Sequence, residues 1–126
     1  YFRATPRDWA RLGLLYVQNG VWNGQQLWPK NWVAYSSTPT PTLPPGGKLR
    51  QGWGYGAQLW LLPPFELNAP ADHFLMAGDG GQMVAILPKQ ELVVVRMSWD
   101  IDEKYRFGHA EFVKRVQAAL STSSNQ

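Results

Sequence analysis

The stretch from Phe74 to Arg96 constrains the fold of this chain more than any other part of it. Three apolar runs make up most of it: Phe74 to Ala77, Gln82 to Leu87, and Leu92 to Met97, which ends one residue beyond the stretch. Short apolar runs bounded by turn residues predict strands. The last two runs are joined by the four residues Pro88 to Glu91. A connection this short forces an antiparallel hairpin.

A glycine cluster, Gly78-Asp79-Gly80-Gly81, precedes the second of these strands. Glycines at this position let another group come close to the backbone just before a buried strand begins. The structural alternative is a tight turn in which Asp79 caps neighbouring N–H groups. A nucleotide-binding loop is disfavoured, because the cluster lacks the Walker lysine and no helical pattern follows it.

Two helices are predicted at the ends of the chain. Thr5 is a good N-cap before Pro6, Asp8 suits the first turn, and Asn19-Gly20 supplies a left-handed stop, so the first helix spans Pro6 to Asn19. A second helix is predicted from Gly108 to Leu120. Because Leu92 to Val95 is continuously apolar, that strand should be covered on both faces, and the two helices can provide the cover.

The segment between the first helix and the hairpin contains weaker signals. Asn23-Gly24 predicts a tight reversal within Val21 to Trp28, and Pro29 opens a short helix through Tyr35. Ser36 to Gly52 is rich in proline and predicts an extended surface connection. Alternation from Gly54 to Leu61 predicts one strand with Tyr55, Ala57, Leu59 and Leu61 facing inward, ended by Pro63-Pro64.

These elements together predict one α/β unit of the α+β type, residues 1–126, with a mostly antiparallel sheet flanked by N- and C-terminal helices. The tail 121–126 has little to bury and is expected to fray.

Composition narrows the classes of function. The content of 44% hydrophobic and 17% charged residues is that of a globular protein. The net charge of +3 comes from dispersed basic residues, so nucleic acid is not expected as a partner. There is no cysteine and no apolar run long enough for a membrane span. His73 and His109 make no metal signature and are expected in surface or capping roles, so neither metal nor cofactor is expected.

The Phe74–Arg96 stretch, taken with Thr5-Pro-Arg-Asp-Trp-Ala-Arg-Leu-Gly-Leu-Leu-Tyr16, resembles the C-terminal part of serine β-lactamase-like hydrolases. That superfamily includes penicillin-binding proteins, class C β-lactamases, related esterases and 6-aminohexanoate-dimer hydrolases. The resemblance implies a fragment of the β-lactamase/transpeptidase-like fold, and it slightly favours the periplasm. The superfamily carries its nucleophile in an SxxK motif upstream of the matched region, and no serine of this chain is followed by lysine three residues later. We therefore expect a fragment without its nucleophile, whose partner is the missing N-terminal part of the same protein.

The resemblance also implies site residues. The superfamily's third motif, usually Lys-Thr-Gly or His-x-Gly, corresponds to Asp79-Gly80-Gly81, where the glycines leave room for substrate. Gln82 would then offer a backbone N–H to the oxyanion hole, a role that tolerates many side chains. An acid replaces the usual cation at Asp79, and a second carboxylate within ~4 Å would be repelled by about 1 to 4 kcal/mol. An ester, amide or peptide-like substrate that is neutral or cationic is therefore expected, rather than a β-lactam.

Aromatic residues suggest further candidates. Among seven tryptophans, Trp53 and Trp60 are the candidates for a substrate-cleft wall, together with Tyr55, although a structural role in packing is favoured for the two tryptophans. Trp9 and Trp32 lie on helical stripes and are expected in the core. A different class of function is a Trp-rich module that binds glycan or peptide without catalysis, and a third is an interaction surface left by a missing domain. The carboxylates Asp100, Asp102 and Glu103 are expected to form a solvated cluster.

Overall fold

The computed structural model describes residues 2–41, 52–64, 70–99 and 108–123. The elements within these ranges are listed in chain order: α1 (Pro6–Val17), β1 (Val21–Trp22), β2 (Gln25–Gln26), α2 (Trp32–Ser37), β3 (Gly54–Tyr55), β4 (Trp60–Leu61), β5 (Phe74–Ala77), β6 (Met83–Leu87), β7 (Leu92–Arg96) and α3 (His109–Ser123). Strands β3 to β7 form an antiparallel sheet in sequence order, and β1 pairs with β2 in a separate hairpin. The predicted α+β architecture is confirmed.

Helix α1 begins at the predicted cap. The Thr5 hydroxyl accepts a hydrogen bond from the Asp8 N–H at 3.2 Å and donates to the Asp8 carboxylate at 2.6 Å. The carboxylate also accepts from Arg11 Nη1 at 2.6 Å. These bonds favour the charged carboxylate, so the pKa of Asp8 lies below its ordinary value of 3.8. The helix ends two residues before Asn19 and Gly20, which both have positive φ, as the stop signal predicts.

The first hairpin follows at once. Asn23 and Gly24 have φ values of 49° and 77°, which is the left-handed pair that a two-residue hairpin turn requires. Helix α2 begins at Trp32, later than the prediction from Pro29, and continues through Ser37. Ser36 and Ser37 are therefore its buried last turn and not the start of a surface connection. Residues 42–51 of that predicted connection lie outside the described residues.

The single strand predicted from Gly54 to Leu61 is wrong. The structure places two short strands there, β3 and β4, which pair with each other and reverse at residues 56–59. Gln58 has a φ of 66°, and the Gly56 N–H donates to the Leu59 carbonyl at 2.8 Å. A Cβ at Gly56 would collide with the Ser36 carbonyl oxygen, and Ala57 N–H donates to that same oxygen at 2.9 Å. Docking against α2 therefore bends a segment that alternation alone predicts to be straight.

The sheet separates two hydrophobic clusters. One, under α1, contains Tyr16, Leu59, Leu61, Ala71, Phe74, Val84 and Ile86, with Val93 and Val95 of β7 packed against it. The other, under α3, contains Leu62, Leu75, Met83, Ala85, Leu87 and Val113, with Leu92 and Val94 packed against it. The alternation of β7 between the two clusters confirms that this strand is covered on both faces. It is half-buried because it lies last in the strand order of the sheet.

Helix α1 lies against β7 at Gly13. A Cβ built on Gly13 would lie 2.5 Å from Val93 Cγ1 and 3.3 Å from Val84 Cγ1. Valine has a stiff side chain that cannot turn aside within a packed face. The glycine therefore sets how closely the helix approaches the sheet.

Of the two tryptophans expected in the core, Trp9 packs against the α1 cluster. Trp32 is instead 38% exposed, and its ring contacts that of Tyr35 at the surface. His109 is buried and not at the surface, because it is the first residue of α3 and lies beside Ala110 and Val113, which pack on the sheet.

Helix α3 continues to Ser123, three residues into the segment predicted to fray. Asp100, Asp102, Glu103 and residues 124–126 lie outside the described residues. Within the described ranges, no helix is long and apolar enough to cross a membrane.

The contact at Gly13 predicts an unusual response to alanine. In an open helix Gly→Ala stabilises by about 1 kcal/mol, but here the new methyl group meets Val93, and overpacking of this kind typically destabilises by about 1 to 3 kcal/mol. We expect Gly13→Ala to lower the free energy of unfolding in urea. In a Val93→Ala background the same substitution should be neutral or stabilising. Equal destabilisation in both backgrounds would contradict the packing described.

The cap of α1 predicts a pH dependence. Because the folded-state pKa of Asp8 is depressed, its contribution to stability is present above about 3.8 and is lost as the pH falls through the lower folded value. The stability advantage of the native chain over Asp8→Asn should therefore shrink in acid. A carboxyl-carbon NMR titration should show a higher pKa for Asp8 in Thr5→Ala and in Arg11→Gln than in the native chain, since each substitution removes a hydrogen bond that favours the carboxylate. An Asp8 pKa unchanged in both variants would refute this account.

Candidate functional site

The glycine cluster forms a tight turn at one end of the sheet. Asp79 to Gly81 make a 3₁₀ turn between β5 and β6, closed by a hydrogen bond from the Gly78 N–H to the Gln82 carbonyl at 3.1 Å. Gly80 and Gly81 have φ values of 69° and 80°, which glycine adopts without strain. Asp79 is exposed, and Gly80, Gly81 and Gln82 are half-buried. We call residues 78–82 the glycine turn.

The side chain of Gln82 ties the glycine turn to the end of β7. Its Nε2 donates to the Ser98 carbonyl, and its Oε1 accepts from the Ser98 N–H at 3.2 Å. The carboxamide thus acts as a further rung after the last strand pair, Met83 with Arg96. Arg96 Nη1 adds a hydrogen bond to the Gly81 carbonyl at 2.7 Å.

An indole lies against the glycine turn. A Cβ built on Gly80 would lie 3.1 Å from Trp99 Cε3 and 3.6 Å from the Ser98 carbonyl oxygen. Gly80 is therefore approached by the edge of Trp99 and by the chain that follows β7. The Trp99 side chain remains 72% exposed. A Cβ at residue 80 would therefore press on the Trp99 ring, which would have to move by a few tenths of an ångström.

Strand directions bring three connections to the same end of the sheet. Strand β5 runs towards the glycine turn, and the antiparallel pairing of β4 with β5 and β3 with β4 places the 56–59 reversal at that end too. The 97–99 segment leaves β7 there, because β6 begins where β7 ends. Connections at one end of a sheet are where a scaffold presents binding residues.

The three predicted cleft aromatics form one cluster. Tyr55 lies opposite Trp60 on β3 and β4, and their ring centroids are 5.0 Å apart at 77°. Trp53 meets Trp60 edge-on at 6.2 Å. Trp53 and Trp60 also pack against the α3 cluster, and all three residues are half-buried. Edge-to-face pairs of this kind contribute about 0.5 to 1.5 kcal/mol each beyond area burial. Their assignment to a substrate cleft stays a prediction.

Within the part of the chain that the structure describes, the glycine turn offers backbone donors, the exposed carboxylate of Asp79 and the Arg96 guanidinium. The serine beside the turn, Ser98, is followed three residues later by Ile101, so it has no lysine partner in sequence. Among the described residues, no group of three or more His, Asp or Glu side chains could hold a metal ion.

A cleft of about 570 Å³ lies between α1 and the first hairpin. It is lined by Leu14, Gln18, Val21, Trp22, Asn23 and Gly24, none of which can titrate near neutral pH. This cleft provides neither a nucleophile nor a general base. The glycine turn is therefore the better candidate for chemistry.

The sequence predicts the position of the glycine turn but not the contacts that support it. Gln82 is expected to act through its backbone N–H with a replaceable side chain, whereas that side chain makes two hydrogen bonds, and no local pattern indicates the contacts of Arg96, Ser98 and Trp99. The neighbours of Gln82 could be predicted from the hairpin register, because the short 88–91 connection pairs Leu87 with Leu92. Counting along that register places residue 82 next to residues 97 and 98.

The chain was compared with known proteins. Its sequence matches no protein-family model, and the comparison with curated proteins found no match. Solved structures do match, among them "Putative 6-aminohexanoate-dimer hydrolase from Bacillus anthracis", with a TM-score of 0.66, 25% identity and coverage of 96% of this chain. This chain spans about 30% of the length of that structure. The antiparallel sheet and its flanking helices thus have the fold of part of a protein named as a hydrolase.

Proposed function

We propose that this chain forms one wall of the active site of a serine hydrolase of the β-lactamase-like superfamily, an esterase or amide hydrolase. The observation that carries the proposal is the structural similarity to the Bacillus anthracis hydrolase over 96% of this chain. The order of the elements supports it as well: a capped helix, a glycine turn leading into a buried strand, a hairpin and a terminal helix follow one another as in the resembled superfamily.

The catalytic serine belongs, in this proposal, to an SxxK motif on polypeptide outside these 126 residues. As its oxygen attacks the substrate carbonyl, its proton passes to a general base on the same polypeptide, and the carbonyl electron pair moves to the carbonyl oxygen, which becomes negatively charged. The backbone N–H of Gln82 and that of the serine itself stabilise this charge. Preorganised backbone donors suit this role because they need little reorganisation as the charge forms.

The glycine turn contributes access and selectivity. Gly81 lacks a side chain, so substrate can approach its backbone closely, whereas the space a side chain of Gly80 would fill is taken by the edge of Trp99. The exposed carboxylate of Asp79 repels anionic substrates and leaves neutral or cationic esters and amides as the substrate class. Trp53, Tyr55 and Trp60 serve as apolar surface at the same end of the sheet.

A binding module without catalysis is less well supported. Sugar recognition by tryptophan needs an open ring face, but Trp53 and Trp60 contact each other and the α3 cluster. Addition of cell-wall glycan to the isolated chain carrying Trp99→Phe, which removes the most exposed indole of the described residues, should therefore leave its tryptophan fluorescence unchanged.

The proposal predicts where activity resides. The 126-residue chain should not hydrolyse p-nitrophenyl acetate or nitrocefin. The complete polypeptide that includes the sequence preceding Tyr1 should hydrolyse the ester, and substitution of its SxxK serine by alanine should abolish turnover. A complete protein that lacks this serine would refute the enzymatic assignment.

The charge at Asp79 predicts a change in selectivity. In the complete protein, Asp79→Asn should raise kcat/KM for a p-nitrophenyl ester with a carboxylate in its acyl group by about fivefold relative to a neutral ester of equal length. This ratio should shrink as salt is added, because exposed charges are screened. Glu91→Gln is the matched control, since Glu91 is an exposed carboxylate in the 88–91 connection at the opposite end of β6. An equal effect of both substitutions would show that only net charge matters.

A further inference from the structure

We propose that Trp99 is a specificity-determining wall of the substrate subsite beside the glycine turn, and that the Gln82 side chain is the positioning residue that holds it there. The substrates this wall selects are esters or amides whose acyl group is apolar and extends past the reacting carbonyl. This inference rests on the proposed function.

The indole of Trp99 is largely exposed to solvent. Trp99 is 72% exposed although tryptophan carries one of the largest apolar surfaces of any side chain. Met97, two residues earlier, is 39% exposed. A ligand that covers a large apolar side chain next to a candidate site removes that surface from water, and this burial favours binding.

The backbone that carries the indole, at Ser98 and Trp99, is held in place without any ligand. Ser98, its neighbour, is held through both backbone polar groups by the Gln82 carboxamide. On the other side, the indole edge rests against Gly80, where a Cβ would come within 3.1 Å of Cε3. A preorganised aromatic surface loses little conformational freedom on binding, which is what makes such a surface selective.

The indole also lies beside the part of the site where the reacting carbonyl is proposed to bind. The indole contacts the same turn whose backbone is proposed to stabilise the oxyanion, so an acyl group bound with its carbonyl at the turn passes close to the ring. Two single-residue features enforce this proximity: the glycine at residue 80 and a side chain at residue 82 long enough to reach Ser98. Arg96 reinforces it by binding the Gly81 carbonyl.

The test compares p-nitrophenyl esters of acetic, butanoic and hexanoic acid in the complete protein. If one face of the acyl chain lies on the indole, kcat/KM should rise by about twofold for each added methylene, or about fifteenfold from acetate to hexanoate. In Trp99→Ala the hexanoate-to-acetate ratio should fall below about threefold, and Trp99→Phe should be intermediate. Tyr35→Ala, which removes an exposed aromatic on α2, should leave the ratio as it is. A ratio unchanged in Trp99→Ala would overturn the proposal, as would an equal loss for all three esters.

The positioning role of Gln82 needs a readout that a purely structural role would not move. With 5-fluorotryptophan incorporated, the Trp99 signal, assigned from the Trp99→Phe spectrum, should shift and sharpen in Gln82→Leu because the indole becomes mobile. The hexanoate-to-acetate ratio of Gln82→Leu should fall towards that of Trp99→Ala, through a higher KM for the longer ester. A Trp99 signal that does not respond to Gln82→Leu would contradict the positioning role.

Failure of this inference is distinguishable from failure of the proposed function. Titration of the fluorinated protein with hexanamide measures contact with the indole without any turnover. If the esters are not hydrolysed but hexanamide moves the Trp99 signal, the hydrolase proposal fails and the apolar wall stands. If the esters are hydrolysed but hexanamide leaves the Trp99 signal unmoved, the wall fails and the hydrolase proposal stands.

Discussion

The antiparallel pairing of β6 with β7 is the constraint on which the rest of this structure depends. It places β7 where α1 packs on one face and the α3 cluster on the other, and it aligns Met83 with Arg96. From that register, Gln82 continues the ladder through its own side chain and fastens Ser98 across the glycine turn. One strand pair therefore joins the hydrophobic core to the candidate site. A slip of one residue would exchange the faces of β7 and separate Gln82 from Ser98.

The parts that could be predicted from sequence are those whose signals are local. Thr5-Pro6 and Asn19-Gly20 mark the ends of α1 by hydrogen bonding and backbone conformation within a few residues, and Asn23-Gly24 marks the first reversal in the same way. The hairpin of β6 and β7 follows from its short connection. The cover on both faces of β7 follows from its unbroken apolar run. In each case the determining contacts lie close together in the chain.

The parts that could not be predicted depend on contacts between distant residues. The break between β3 and β4 reflects the approach of Gly56 to the carbonyl of Ser36, twenty positions away, which no local alternation contains. The use of the Gln82 carboxamide depends on the register across the hairpin, and the indole of Trp99 is placed by Gly80 on another strand connection. The glycine turn itself can be predicted because glycines at a strand start are a local signal. The residues around it cannot, because they belong to β7 and to the segment that follows β7.

We propose that the glycine turn faces the reacting carbonyl of a hydrolase whose serine lies on other polypeptide. This placement can be tested by a crystal structure of the complete protein after reaction with a p-nitrophenyl alkylphosphonate, which mimics the tetrahedral intermediate. We expect a phosphonylated serine with a phosphonyl oxygen about 3 Å from a backbone nitrogen of residues 79–82. A phosphonyl group bound beyond hydrogen-bonding reach of that turn would contradict it.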